Sequence, residues 1–307
     1  MASMRRYVVP PAICDFDARP SLLAQEINPA WEEQVKDLHR TNQKLLIANL
    51  CVELGSVAFG RKLDDYIALG NAPFSIISYH NVFLCQARYA FVQGHYYPAL
   101  TAACALGERV LNHLILDLRD AFSMSREYKK LARQSSIVSW QRAINALIAW
   151  KILLPVAAKA FRKLETLRHR SLHFNPSTYG NLREDALAAL KCLGSAIGEQ
   201  FSAFGLQPWF IPGTLGACFV KAEYEAHPFI RAYFLKNCPL VGVNHAHSAE
   251  GGKWSLFDYK DYGEGRITDD EFRELYNNRD HARLAPTSLP PAEGIIHYQW
   301  HRVPIGT

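Results

Sequence analysis

IISYHNVFLCQARYAFVQGHYYPALTAACALGERVLNHLILDL, residues 76–118, decides the fold class. Ile76, Ile77, Val82, Phe83, Ala87, Ala90 and Phe91 precede Gly94, and Leu100, Ala103, Leu106, Val110, Leu111, Leu114 and Leu118 follow it. Spacings of three and four residues put each set on one face of a 3.6-residue helix. Gly94-His95 interrupts both runs, so two long antiparallel helices joined by a short turn are expected.

Working toward the N-terminus, Gly70-Asn71-Ala72-Pro73 breaks the chain. Before it, Asn28-Pro29 supplies an N-cap residue and a proline at the first helical position for a helix reaching about Leu54. Trp31, Val35, Leu38, Leu45 and Leu46 give that helix its apolar period. Residues 55–62, GSVAFGRK, resemble a phosphate-binding loop only superficially, because Arg61 displaces the lysine and Leu63 stands where a magnesium-binding hydroxyl belongs.

Toward the C-terminus the helical pattern continues to about Phe204, with breaks at Ser123, Ser135-Ser136, Pro155 and Asn175-Pro176. One helix is expected over 156–173, and Asn181 with Glu184 forms an approximate capping box for another that ends at Gly205. Eight of the sixteen prolines then fall after residue 205, which favours loops and strands over helices. Residues 240–247 and 254–259 read as a hairpin, Thr268 and Glu271 as a capping box, and Ile296, Tyr298 and Trp300 as alternate positions of a strand. The expected organisation is mainly α: an N-terminal helical segment (1–73), a helical domain (74–205) and a C-terminal mixed α/β region (206–307).

With 49% hydrophobic residues in 307, the chain can bury a sizeable core. The first eleven residues hold Arg5 and Arg6 but no continuous apolar run, so no secretory signal is expected. The apolar stretch around 143–158 contains Asn145, Lys151 and Pro155 and falls short of the roughly 20 residues of a bilayer span. Seven scattered cysteines without a C-x-x-C pair speak against a disulfide framework and a cysteine zinc site. A soluble, cytoplasmic protein with no membrane association and no cofactor is the expectation.

Charge is unevenly placed. Residues 119–183 carry thirteen lysines and arginines against three acids, while the whole chain is only +5. Such a segment suits a polyanion such as RNA, since neutralising phosphates releases counterions; a solvated lysine-rich helix face has the same composition.

Within this basic segment lies Arg168-His169-Arg170-Ser171-Leu172-His173. Cutting RNA without a metal needs a proton carrier active near neutral pH, which histidine supplies, and a cation for the charge on phosphorus, which arginine's fixed fork supplies. Five residues on an ideal helix amount to about 140° around its axis, so Arg168 and His173 do not share a face of one straight helix. Convergence requires a helix end between them or a second copy of the motif.

These residues resemble the R-x4-6-H signature of the HEPN-superfamily ribonucleases. Residues 89–112 resemble the first HEPN helix pair, with Gly94, Tyr96 and Ala99 in the turn and Glu108 and Asn112 on the second helix. The resemblance covers about residues 76–205 and implies a HEPN-like antiparallel helical bundle. It implies that Arg168 contacts the scissile phosphate, His173 is the general acid/base, His169 orients the phosphate or its partner histidine, and Glu108 is a candidate for the polar group that the preceding helix lends to the cleft. Arg162, Lys163, Arg170 and Asn175 are the candidate RNA contacts. It further implies a homodimer with facing motifs, 2′,3′-cyclic phosphate and 5′-hydroxyl products, and the role of a toxin or antiviral defence effector with an antitoxin or regulatory protein as partner.

Two other readings use the same residues. In one, His169 with His173, His245 with His247, and His297 with His301 serve a metal-dependent hydrolase. In the other, the chain is a non-catalytic module that binds nucleic acid or protein through its basic segment.

Overall fold

The computed structural model describes residues 2–10, 15–133, 138–172, 180–204, 206–250, 253–288 and 294–301. The chain divides into two compact units, one formed by Asp15–Ser75 and Tyr79–Gln200, the other by Met1–Cys14, Ile76–Ser78 and Phe201–Thr307. The three consecutive segments expected from sequence are thus distributed differently: 15–73 shares a unit with 79–200, and the N-terminal arm shares one with the C-terminal third. Apolar period reports local helices but says nothing of which strand a distant segment pairs with.

The N-terminal arm contributes β1 (Ala2–Ser3) and β2 (Arg5–Tyr7) to the second unit. The first unit opens with β3 (Asp15–Asp17), α1 (Arg19–Ala24), α2 (Glu33–Leu54), α3 (Phe59–Leu69) and β4 (Ala72–Ser75), and β3 pairs antiparallel with β4. It continues through α4 (Ser78–Val92), α5 (Tyr96–Leu118), α6 (Arg126–Leu131), α7 (Trp140–Ala149), α8 (Pro155–Leu172) and α9 (Leu182–Phe201).

The centre of this unit is α5, where Leu100, Ala103, Cys104, Val110, Leu111, Leu114 and Leu118 are all buried. Their spacing is the one that makes residues 98–118 legible as a helix. The α4–α5 turn at Gly94 has φ +87°, a conformation that favours glycine, and a Cβ there would come within 3.1 Å of the Arg61 guanidinium. At Gly107 the reason for glycine is space: a Cβ would stand 2.6 Å from Leu164 Cδ2 and 2.8 Å from Trp140 Cη2. Gly107 is therefore a point where side chains of α7 and α8 pack directly onto the α5 backbone. From Tyr96 to Phe122 the chain is long and apolar enough to cross a membrane, which the sequence reading around 143–158 overlooked, and 61% of its apolar window is buried, as in a core helix.

Polar groups tie the helix ends together. Asp65, 1% exposed, accepts from Arg61 Nη1 (2.8 Å), Tyr96 Oη (2.8 Å) and Arg183 Nε (2.8 Å), joining α3, α5 and α9. Gln200, fully buried, accepts from Leu154 N (2.9 Å) and donates to Ile152 O (3.0 Å), fixing the α7–α8 turn onto α9. Lys62, the lysine of the loop resembling a phosphate site, donates to Leu54 O at 2.6 Å and so closes the C-terminus of α2. Helix α2 reaches Leu54 as expected but begins at Glu33, with Glu32 at its N-cap, while Asn28 Oδ1 accepts from Ala30 N in the turn before it; only Leu50 and Leu54 are buried, while Val35, Leu38 and Leu45 are exposed. The apolar period identified the helix without identifying its buried face.

The second unit is built on β2, which pairs antiparallel with β5 (Leu240–Gly242). The expected hairpin is narrower than 240–259: β6 (Ala246–Glu250) pairs with β7 (Lys253–Tyr259), and β5 leaves it for β2. A Cβ on Gly242 would collide with the Tyr262 ring, so the strand accepts only glycine there. β8 (Arg266–Ile267) pairs with β1, and β9 (Ile295–His301) completes the three-stranded sheet β6-β7-β9. Among the described residues, this unit holds the α-helices α10 (Pro228–Tyr233) and α11 (Asp269–Asn277). The capping box expected at Thr268 forms, with Thr268 Oγ1 accepting from Glu271 N and Glu271 Oε2 accepting from Thr268 N. Arg6, fully buried, donates to Asp269 at 2.6 Å and to the carbonyls of Ser3, Arg5 and Ile267, so its charge is compensated inside the unit.

Candidate functional site

The candidate site arises from the register of α8. Its buried stripe runs Ala157, Phe161, Leu164 and Leu167, and Arg168, four residues after Leu164, lies half-buried at the edge of that stripe. A guanidinium thus flanks the end of the apolar stripe. Leu164 meets Gly107, and one residue further along α5 Glu108 receives Arg168, Oε2 lying 3.4 Å from Nη2. Both side chains are partly buried, 28% exposed for Arg168 and 18% for Glu108. The carboxylate compensates the guanidinium charge at this depth.

Neighbouring groups report the same proximity. Burial pushes the Cys104 thiol up to about 12, with the Arg168 charge opposing the rise and Glu108 adding to it. One turn along α5, Asn112 Nδ2 donates to Glu108 O (2.9 Å) and its Oδ1 accepts from Val138 N (2.7 Å), tying this stretch of α5 to the entry of α7. Glu108 also lines a groove of about 810 Å³ between α4 and α5, together with Phe83, Gln86, Arg109 and His113. There the Arg109 guanidinium lies 5.1 Å from the centre of the Phe83 ring. Behind it, His113 meets the buried His80 ring edge-on at 5.2 Å, and among the described residues His80 Nε2 has no hydrogen-bond partner. Burial, with His113 and Arg109 adding to it, pushes His80 down to about 4.

The other nominated residues are dispersed around α8. His169 is 58% exposed, with Nε2 3.9 Å from Glu165 Oε1. Arg170 pairs with Asp185 of α9, an acid only 8% exposed. Arg162 Nη2 donates to Asn145 Oδ1 at 3.3 Å. Lys163 is exposed and lines a groove between α8 and α9. His173 and Asn175 lie outside the described residues, as do the side chains of Ser171 and Leu172. Of the expected site, the structure brings together Arg168 and Glu108, and sets His169, Arg162, Lys163 and Arg170 elsewhere on the helix.

The remaining histidine pairs meet different neighbours. His245 is buried, stacks on Tyr276 and holds Nδ1 2.7 Å from Gly242 O, and burial pushes it down to about 4. His247 packs against Trp254, and His297 stacks on Phe257. Among the described residues, no three His, Cys, Asp or Glu side chains are grouped to hold a metal ion.

Lys159 and Lys191, which share the α8–α9 groove with Lys163, escaped sequence reasoning. Lys159 carried a faint signal, lying four residues before Lys163, but Lys191 is brought in only by packing. No protein-family model, curated protein or solved structure matches this chain.

Proposed function

We propose that this chain is a metal-independent endoribonuclease of the HEPN type, acting as a homodimer on RNA. The observation that carries the reading is the Arg168–Glu108 ion pair: the arginine of the R-x4-H motif is held on the inner face of α8 by an acid of α5, partly open to solvent and beside a groove. A guanidinium has five donors in a fixed fork. Glu108 orients it while part of the side chain remains accessible to a phosphate.

The chemistry is an in-line displacement within the RNA. A ribose 2′-oxygen attacks the adjacent phosphorus as His173 takes its proton, and the P–O5′ bond breaks as a proton is delivered to the 5′-oxygen. The products are a 2′,3′-cyclic phosphate and a 5′-hydroxyl, and no redox or metal step enters. Arg168 stabilises the charge that builds on the phosphoryl oxygens, and His169 orients the reacting groups. In the dimer, a second copy seats against the α4–α5 groove lined by Glu108, so that two motifs share one cleft and overcome the 140° separation of Arg168 and His173. A toxin or antiviral effector restrained by a protein partner is the biological role that accords with such an activity.

The test is purified protein with structured RNA in EDTA, with ends analysed by chemical and enzymatic labelling. Cleavage to cyclic-phosphate ends is expected, and Arg168→Ala and His173→Ala are each expected to lower kcat by about 100-fold or more while folding normally. Undiminished cleavage by His173→Ala removes the mechanism, and loss of cleavage in EDTA restored by a divalent metal replaces it with a metal-dependent one. RNA binding with no turnover in any condition leaves the non-catalytic module.

A further inference from the structure

The arginines that make residues 119–183 look like an RNA-binding segment are largely engaged by protein groups near the end of α8: Arg168 by Glu108, Arg170 by Asp185, Arg162 by Asn145. Three lysines differ. Lys159 and Lys163 of α8 and Lys191 of α9 are exposed, and among the described residues none has an acid within ion-pair distance. They converge on one groove of about 490 Å³ between the two helices. Its acid, Glu184, lies 3.9 Å from Arg183. The floor between the lysines is apolar, from Val156, Ala160, Leu187 and Ala188.

Three like charges gathered around a concave surface that holds one acid, Glu184, repel one another, and an anion in the groove reverses the sign of that interaction. Lys159 and Lys163 sit one helical turn apart on one face of α8, a rise of about 6 Å, which is of the order of the separation between successive phosphates of an extended strand. Flexible ammonium groups suit a backbone read without regard to sequence. An apolar floor tolerates the faces of bases or riboses. α8 runs from these lysines toward Arg168.

We infer that the α8–α9 groove is the track for the phosphate backbone of single-stranded RNA, held by Lys159, Lys163 and Lys191. The inference rests on the ribonuclease reading for its choice of RNA, and it adds two residues and a path which that reading does not contain.

The experiment measures anisotropy of a fluorescein-labelled oligouridylate in EDTA across a potassium chloride series. It compares wild type with the triple variant Lys159→Gln/Lys163→Gln/Lys191→Gln. A matched control removes three exposed lysines elsewhere, Lys44→Gln/Lys129→Gln/Lys130→Gln. Losing three phosphate contacts on a single strand lowers the slope of log K against log salt by about 2. The groove variant is expected to show that decrease and roughly tenfold or greater loss of affinity at low salt, with the control close to wild type. Acylation footprinting of the wild-type protein, independent of any variant's folding, is expected to show RNA protecting Lys159, Lys163 and Lys191 but not Lys129 or Lys130.

Equal slopes for the two triple variants, or no protection of the three lysines, overturn the inference. Lysine-dependent binding of polyglutamate with no binding of the oligouridylate overturns it too, since the groove then serves an acidic protein. The nuclease reading is separated by turnover. If Arg168→Ala abolishes cleavage and the groove variant binds like wild type, the centre stands and the track falls. If binding depends on the lysines but wild type never cleaves, the track stands and the nuclease falls.

Discussion

Replacing Gly107 by alanine tests whether the meeting point of α5, α7 and α8 sets both the stability of the helical unit and the position of Arg168. In a helix interior, alanine by itself is favoured over glycine by about 1 kcal/mol. Here the added Cβ stands 2.6 Å from Leu164 Cδ2 and 2.8 Å from Trp140 Cη2, both closer than real Cβ atoms approach. Leu164 is fully buried and Trp140 only 4% exposed, so neither has room to yield. Overpacking of this kind costs about 1–3 kcal/mol and more where two neighbours are struck, so a net loss of about 1–2 kcal/mol is expected after the propensity gain. Urea denaturation followed by far-UV circular dichroism measures it.

The same substitution pushes α8 away from α5 one turn before Arg168, lengthening a 3.4 Å ion pair, so the RNA cleavage proposed above is expected to fall more than the folded fraction does. Leu164→Val removes one of the struck carbons. In the double variant Gly107→Ala/Leu164→Val, the two changes are expected to be less destabilising than their sum, by about 1 kcal/mol. A Gly107→Ala protein more stable than wild type, or strict additivity in the double variant, refutes the packing at this crossing.

Asp65→Asn leaves Arg61 and Arg183 without their shared acid and is expected to cost roughly 2–4 kcal/mol in urea denaturation, whereas Asp64→Asn beside it should cost under about 0.5 kcal/mol. His80, 6% exposed and held down at about 4, stays neutral in the native protein while it protonates near 6.5 when unfolded. The unfolded state therefore binds more protons below 6.5, so stability falls as pH drops from about 6.5 toward 4, by at most about 1.4 kcal/mol per unit from this group. His80→Gln should flatten that part of the stability–pH curve, and an unchanged curve contradicts the assignment. Lys151 adopts φ +57° in the α7–α8 turn, where glycine is preferred, so Lys151→Gly is expected to raise stability by up to about 1 kcal/mol in thermal or urea unfolding.

Much of the helical unit was legible before its structure. The runs on either side of Gly94 became α4 and α5, and the break at Pro155 became the start of α8. The Thr268–Glu271 box formed as written, because caps and periods are interactions over three or four residues. Non-local choices were not legible. The 240–247 strand divided because β5 pairs with β2, more than 230 residues earlier in the chain. Helix α2 formed while leaving Leu38 and Leu45 outside, since a period says that a helix has an apolar face and not what covers it.

For the candidate site the division is the same. Sequence alone determined that a basic segment exists, that Arg168 and His173 stand five residues apart, and that one straight helix does not bring them to one face. These are properties of composition and helical pitch. Only tertiary structure decided that Arg168 turns inward to Glu108, that Arg170 is paired with Asp185, and that Lys159, Lys163 and Lys191 line one groove with, among the described residues, no acid within ion-pair distance. Whether a charge is neutralised depends on which side chains packing brings within about 4 Å of it, and residues 60 apart in sequence, such as Glu108 and Arg168, meet only when α5 and α8 close on each other at Gly107.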